Sequence, residues 1–97
     1  MNNIKSEITL TRLLIYELRH RNPDCVKFLV DESMIKSILF ALKIKSYDTI
    51  LYSYGHKFLI ELLKYFEELE KYEDCHFIKE TILEHNKYAN DNLTTKF

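Results

Sequence analysis

A chain of 97 residues with one glycine, Gly55, and one proline, Pro23, has little from which to build tight turns. A sheet protein of this length needs several, because hairpin positions with positive φ fall to glycine and many other turns start on the fixed φ of proline. Leu, Glu and Lys, all good helix formers, supply 35 residues. The sequence therefore predicts an all-α protein, a compact bundle of four or five helices ending in a helical hairpin. The length suits one core, so residues 1–89 read as a single helical domain and residues 90–97 as a flexible C-terminal tail.

Ser6 precedes Glu7 and a run with Leu10, Leu13, Leu14 and Leu18, which share a helical stripe and predict a first helix over Glu7 to His20. Within it, Ile8-Thr9-Leu10-Thr11 alternates as a strand would. Asn22-Pro23-Asp24 breaks the chain, because proline restricts the residue before it and cannot continue a helical ladder. Cys25 to Val30 is too short for periodicity to decide between helix and strand. Asp31 is placed to cap a helix carrying Met34, Ile35, Ile38, Leu39 and Leu42 and ending near Lys45.

Asp48 is placed to cap the next helix, along which Leu51, Tyr54, Phe58, Leu62, Tyr65 and Leu69 follow at steps of three or four. Leu59, Leu63 and Phe66 lie beside them. So wide an apolar arc suits either a helix central to the bundle or a homodimer through Phe58, Leu62 and Phe66. Gly55 inside it marks a kink, a break or a close backbone approach. The acidic stretch Glu67 to Asp74 follows, and Cys75, Ile78 and Ile82 then resume a stripe ending near Lys87. The chain either turns near Lys71 or continues as one helix of more than about 30 residues, a length rare enough in a small domain to favour the hairpin.

Lys, Asn, Ile, Tyr and Phe supply 40 residues, whereas Ala, Gly, Pro and Arg supply 7, the bias of an AT-rich coding sequence. Abundant Lys or Tyr is then weak evidence of function. The net charge of −1 conceals a division: residues 1–57 carry 9 Lys or Arg against 6 Asp or Glu, and residues 58–97 carry 5 against 9. Such polarity can steer a charged partner or pair two copies head to tail. Cys25 and Cys75 form no Cys-x-x-Cys pair and read as buried apolar residues or free thiols of a reducing compartment. With neither a secretory signal nor an apolar run of about 18 residues, a cytoplasmic location and no membrane span are expected.

Chemistry-bearing patterns are sparse. The isolated glycine excludes a Gly-rich phosphate loop. Glu73-x-x-His76 has the spacing of one half of a di-iron or di-manganese element, which by itself makes no metal site. His20, His56 and His85 show no His-x-x-x-His or Cys-x-x-Cys partner spacing, and Glu67 and Glu68 sit in a solvated run of charge. No catalytic, cofactor-binding or metal-binding residue is assigned, and no cofactor is expected. Arg12, Arg19 and Arg21, the chain's only arginines, gather with Lys27 around the end of the first helix. Their forked donors make these four residues the candidate contact for nucleic acid or another anion.

Residues 67–82, E-E-L-E-K-Y-E-D-C-H-F-I-K-E-T-I, resemble the UVR motif, a short helical hairpin whose second half reads aromatic-Glu-x-Ala-Ala-x-Leu-Arg-Asp-x-Ile. Tyr72, Glu73 and Ile82 match. Cys75 replaces the first small residue, His76 the second, Ile78 the Leu, and Lys79 and Glu80 the Arg and Asp. In that family the hairpin docks on other proteins, so the resemblance implies protein binding through Tyr72, Glu73, Cys75, Ile78, Lys79 and Ile82. In style the chain is also similar to small phage-encoded inhibitors of bacterial nucleases, including the anti-CRISPR class. The expected function is a non-enzymatic binding protein, a small adaptor or inhibitor docking on a larger protein, such as a nucleic-acid-guided nuclease. The alternative is a small helical RNA- or DNA-binding regulator using the arginine cluster.

Overall fold

The structure, a computed structural model, describes the backbone of residues 4–95 and the side chains of residues 4–87. Its described residues form five α-helices and no strand: α1 (Ile4–Arg21), α2 (Glu32–Lys43), α3 (Tyr47–Tyr54), α4 (His56–Glu68) and α5 (Tyr72–Thr95), with a 3-10 turn at Pro23–Cys25. The all-α bundle follows from the helical periodicity of the sequence. Of residues 25–30, which periodicity left open, Cys25 ends the 3-10 turn and residues 26–30 are neither helix nor strand.

Helix α1 starts before Ser6, which is therefore an interior residue and not a cap. Its buried stripe is Thr11, Leu14, Ile15 and Leu18, while Leu10 and Leu13 are 66% and 58% exposed. The leucine stripe read from sequence is thus turned partly to solvent. Thr11 takes a place on the inner face, its Oγ1 donating to the Glu7 carbonyl at 2.8 Å. A hydroxyl satisfied within its own helix can enter the core without an unpaired polar group.

Asp31 caps α2 as its position predicts, its carboxylate accepting from the Met34 N–H at 2.8 Å. Met34, Ile35, Ile38 and Ala41 face inward. The helix closes with bonds from Lys45 N–H to the Leu42 carbonyl and from Ser46 N–H to the Ala41 carbonyl, and Lys45 takes φ 58°. That pattern is a Schellman ending. It recurs after α4, where Glu70 (φ 59°) bonds Glu67 and Lys71 bonds Phe66. The chain therefore turns at residues 69–71 into a hairpin, the Lys71 ammonium lying 5.9 Å from the centre of the Phe66 ring.

The long apolar segment is divided at Gly55, whose φ of 96° and ψ of 169° end α3 and begin α4. The first half begins after Ser46, whose side chain makes no capping bond to the backbone, and Asp48 is not the cap but lies within the helix and accepts a 2.9 Å bond from the Ser46 hydroxyl. Helix α4 is central: it packs against α1, α3, α5 and the 3-10 turn. Phe58, Leu59 and Leu62 are fully buried and Phe66 nearly so. At about 1.5–3 kcal/mol for each large apolar side chain removed from water, these residues anchor the core. Phe58, Leu62 and Phe66 are consumed inside one copy, which overturns their reading as a dimer surface.

Helix α5 adds Cys75 and Ile78 to the core and half-buries Ile82. Its backbone stays helical to Thr95, past the end near Lys87 that the stripe predicts. The flexible tail read for residues 90–97 falls where side chains lie outside the described residues. Among those described, no helix is long and apolar enough to cross a membrane.

Candidate protein-docking groove

Helices α3 and α5 line a groove with a polar floor. The Tyr47 ring is buried at the start of α3, and its hydroxyl donates to Asp74 Oδ1 at 2.6 Å. Lys45 Nζ reaches the same oxygen at 2.6 Å. Burial works to raise the Asp74 carboxyl but is outweighed by these two hydrogen bonds, so it lies below the ordinary carboxylate range. Burial and the Asp74 bond together push the Tyr47 hydroxyl above its usual value. The floor is thus a neutral tyrosine held from behind the lining by an ionised aspartate.

Above this floor runs an open groove of about 680 Å³, the larger of two cavities described. Its walls are Tyr52 from α3 and Phe77 and Leu83 from α5, exposed by 79%, 37% and 67%. Glu80 and Glu84 line it too. Glu73, Phe77, Glu80 and Glu84 follow at steps of four, three and four, which puts them on one exposed strip of α5. Glu73 and Glu84 have no ion-pair partner among the described residues, and Glu80 has only His76, at 3.3 Å. The groove is therefore aromatic at its walls and acidic along one rim.

The UVR-like residues divide between inside and outside. Cys75 and Ile78 are buried in the core, so neither is available to a partner, which corrects their assignment as binding residues. Tyr72, Glu73 and Lys79 are exposed, Lys79 standing 3.5 Å from Glu67 across the hairpin. Ile82 is half-buried against the core.

The basic cluster is likewise split. Arg21 turns to α4, where both its terminal nitrogens hold the Glu68 carboxylate, the Nη2–Oε1 contact being 2.7 Å, and its guanidinium lies 5.1 Å from the Tyr65 ring centre. Glu68 raises the Arg21 pKa, and Arg21 lowers that of Glu68. This residue joins two helices and is no free anion contact, a correction that no local pattern could supply. Arg12 and Arg19, seven residues apart, stay exposed on one strip of α1 with Lys5 and Tyr16. None of the three cations has an ion-pair partner among the described residues. Lys27 stands apart in the segment after the 3-10 turn, exposed beside a smaller cavity with Phe28 and Tyr54.

Two groove residues, Tyr52 and Phe77, escaped the sequence reading because attention to stripes selects residues that face the core. Their signal was present: each is a large aromatic that falls off its helix's apolar register. The thiols offer no reactive group. Burial pushes both Cys25 and Cys75 above the ordinary thiol value, and Cys25 Sγ donates to the Leu18 carbonyl at 3.4 Å. Among the described residues no three His, Cys, Asp or Glu side chains gather closely enough to hold a metal ion. No family model matches the chain, and no curated protein or solved structure shows a similarity to it.

Proposed function

We propose that the chain is a non-enzymatic docking protein, a small adaptor or inhibitor that engages a larger protein through the groove between α3 and α5. One arrangement supports this: the exposed aromatics Tyr52 and Phe77 stand beside carboxylates that no Lys or Arg neutralises. Aromatic anchors bordered by uncompensated charge suit a surface that is completed by binding. The partner selected by this chemistry brings cations around an apolar anchor, as the basic face of a nucleic-acid-binding protein does. Acidic side chains seated there compete with phosphates for the same cations. On that ground the reading extends to a phage-type inhibitor of a nucleic-acid-guided nuclease, with Tyr72, Glu73 and Lys79 of the UVR-like hairpin at the rim.

Affinity capture from the native host tests the reading, comparing wild type with Phe77→Ala and with Glu80→Lys/Glu84→Lys by mass spectrometry. One protein is expected to be retained by wild type and lost from both variants, with helical content unchanged. Equal recovery by all three overturns it.

A second reading rests on the unpaired Lys5, Arg12 and Arg19: a nucleic-acid contact along α1, with Lys27 beyond its end. Net charge of −1 weighs against it, since such domains are usually basic. Phosphate contacts would make log affinity fall steeply with log salt, and no binding to RNA or DNA at low salt removes the reading.

A further inference from the structure

The exposed strips of α1 and α5 carry opposite charges on one spacing. On α1, Arg12, Tyr16 and Arg19 follow at steps of four and three, with Lys5 seven residues before Arg12. On α5, Glu73, Phe77 and Glu80 repeat the steps of four and three, and Glu84 continues the strip. At 1.5 Å per residue each charged pair is separated by about 10 Å along its helix, with the aromatic between. Laid side by side in either direction, the strips set Tyr16 against Phe77 and place each arginine opposite a glutamate. Tyr16 is 44% exposed and Leu13, beside this strip, 58%. Both cations and carboxylates lack partners of opposite fixed charge within the described residues.

We infer that the occupant of the α3/α5 groove in the free protein is a second copy of this chain, whose α1 lays Arg12, Tyr16 and Arg19 along Glu73, Phe77 and Glu80. The inference rests on the groove being a docking surface. It adds a regulation: self-association covers the surface, and a basic partner must displace α1 to reach it. Because the two strips differ, copies either dock α1 on α5 reciprocally in a closed, isologous dimer or join head to tail through a heterologous contact. Burial of the ring pair gives the contact its apolar centre, and the flanking charges set its register and make it sensitive to salt.

Sedimentation velocity on the full chain tests this with charge-reversed variants. Wild type is expected to gain mass with concentration and to lose it between about 0.1 M and 1 M salt, as the screening length falls from about 10 Å to about 3 Å. Arg12→Glu/Arg19→Glu and Glu80→Lys/Glu84→Lys should each weaken association at least about tenfold, a change of about 1.4 kcal/mol. Mixing these two variants should restore it, since each supplies the strip that the other has reversed. Lys36→Glu/Lys57→Glu, which changes net charge equally away from both strips, should leave the mass distribution unaltered.

A monomeric wild type at every concentration in low salt overturns the inference, as does a mixture that stays dissociated. A wild type that stays monomeric yet binds RNA or DNA through Arg12 and Arg19 overturns it in favour of a nucleic-acid surface. The docking reading fails separately, when Glu80→Lys/Glu84→Lys leaves host-protein capture unchanged.

Discussion

The Tyr47 hydroxyl donates a 2.6 Å hydrogen bond to the carboxylate of Asp74, tying the first residue of α3 to the first turn of α5. Tyr47→Phe keeps the ring in place and leaves Asp74 to Lys45 alone. A hydrogen bond to a charged acceptor is removed, so unfolding free energy should fall by about 1–2 kcal/mol, read as a lower urea midpoint with an unchanged slope.

The same carboxylate sets the acid limit of stability. Asp74 is held below its ordinary value in the fold, so its contribution is present above the unfolded value of about 4 and is lost as pH falls through the folded one. Urea midpoints should therefore be flat from neutrality to about pH 5 and decline below about pH 4. Asp74→Asn should lower the plateau and flatten that decline. What slope remains belongs in part to Glu68, whose carboxyl is held low by its bond to Arg21.

Gly55 holds φ at 96°, where L side chains are strained, although a Cβ built there would meet no atom within 4 Å. Gly55→Ala should thus cost about 1–3 kcal/mol from the backbone alone. An alanine as stable as wild type in urea would show that the break between α3 and α4 relaxes into a continuous helix.

The two Schellman turns use side-chain residues where glycine is favoured. Glu70→Gly should relieve the left-handed backbone and raise stability by about 1 kcal/mol, since Glu70 has no ion-pair partner among the described residues. Lys45→Gly should bring no such gain, because the Lys45 ammonium bonds Asp74. Thermal melts of the two variants separate these effects.

The inward face of α1 can be checked by truncation. Ile15 is fully buried and Leu13 is 58% exposed. Ile15→Ala should cost about 2–5 kcal/mol, and Leu13→Ala no more than about 0.5 kcal/mol. Equal losses would return the leucine stripe to the core.

Local chemistry made much of this fold legible. Scarce glycine and proline pointed to helices, Asp31 announced its cap, and Pro23 marked the end of α1. The hairpin near Lys71 and the central place of α4 were both among the alternatives that periodicity offered. Failures came where several answers satisfied the same local rule. Leu10 and Leu13 are as apolar as Leu14 and Leu18, and the hydroxyl bond that satisfies Thr11 permits the adjacent stripe without selecting it, since Thr9 makes the same bond on the outside. Ser46 and Asp48 are both residue types that cap helices, yet α3 starts between them at Tyr47 with no side-chain cap from either.

The candidate site was less legible because its partners lie far apart along the chain. Arg21 and Glu68 are separated by 47 residues, so an arginine that looks free in sequence is engaged in the fold. The groove is lined from α3 and α5 together, a relation carried by neither helix alone. What could be read was the division of charge, since the basic strip of α1 and the acidic strip of α5 each belong to one helix.

The central position of α4 also bears on how such a chain changes over generations. Phe58, Leu59, Leu62 and Phe66 meet neighbours on several sides, so one replacement must be matched by others in α1, α3 or α5. The outer strips carry no such obligation and are free to diverge with whatever they touch. Descendants of a common ancestor should therefore keep the spacing of these four side chains long after Arg12, Phe77 and Glu80 have been exchanged.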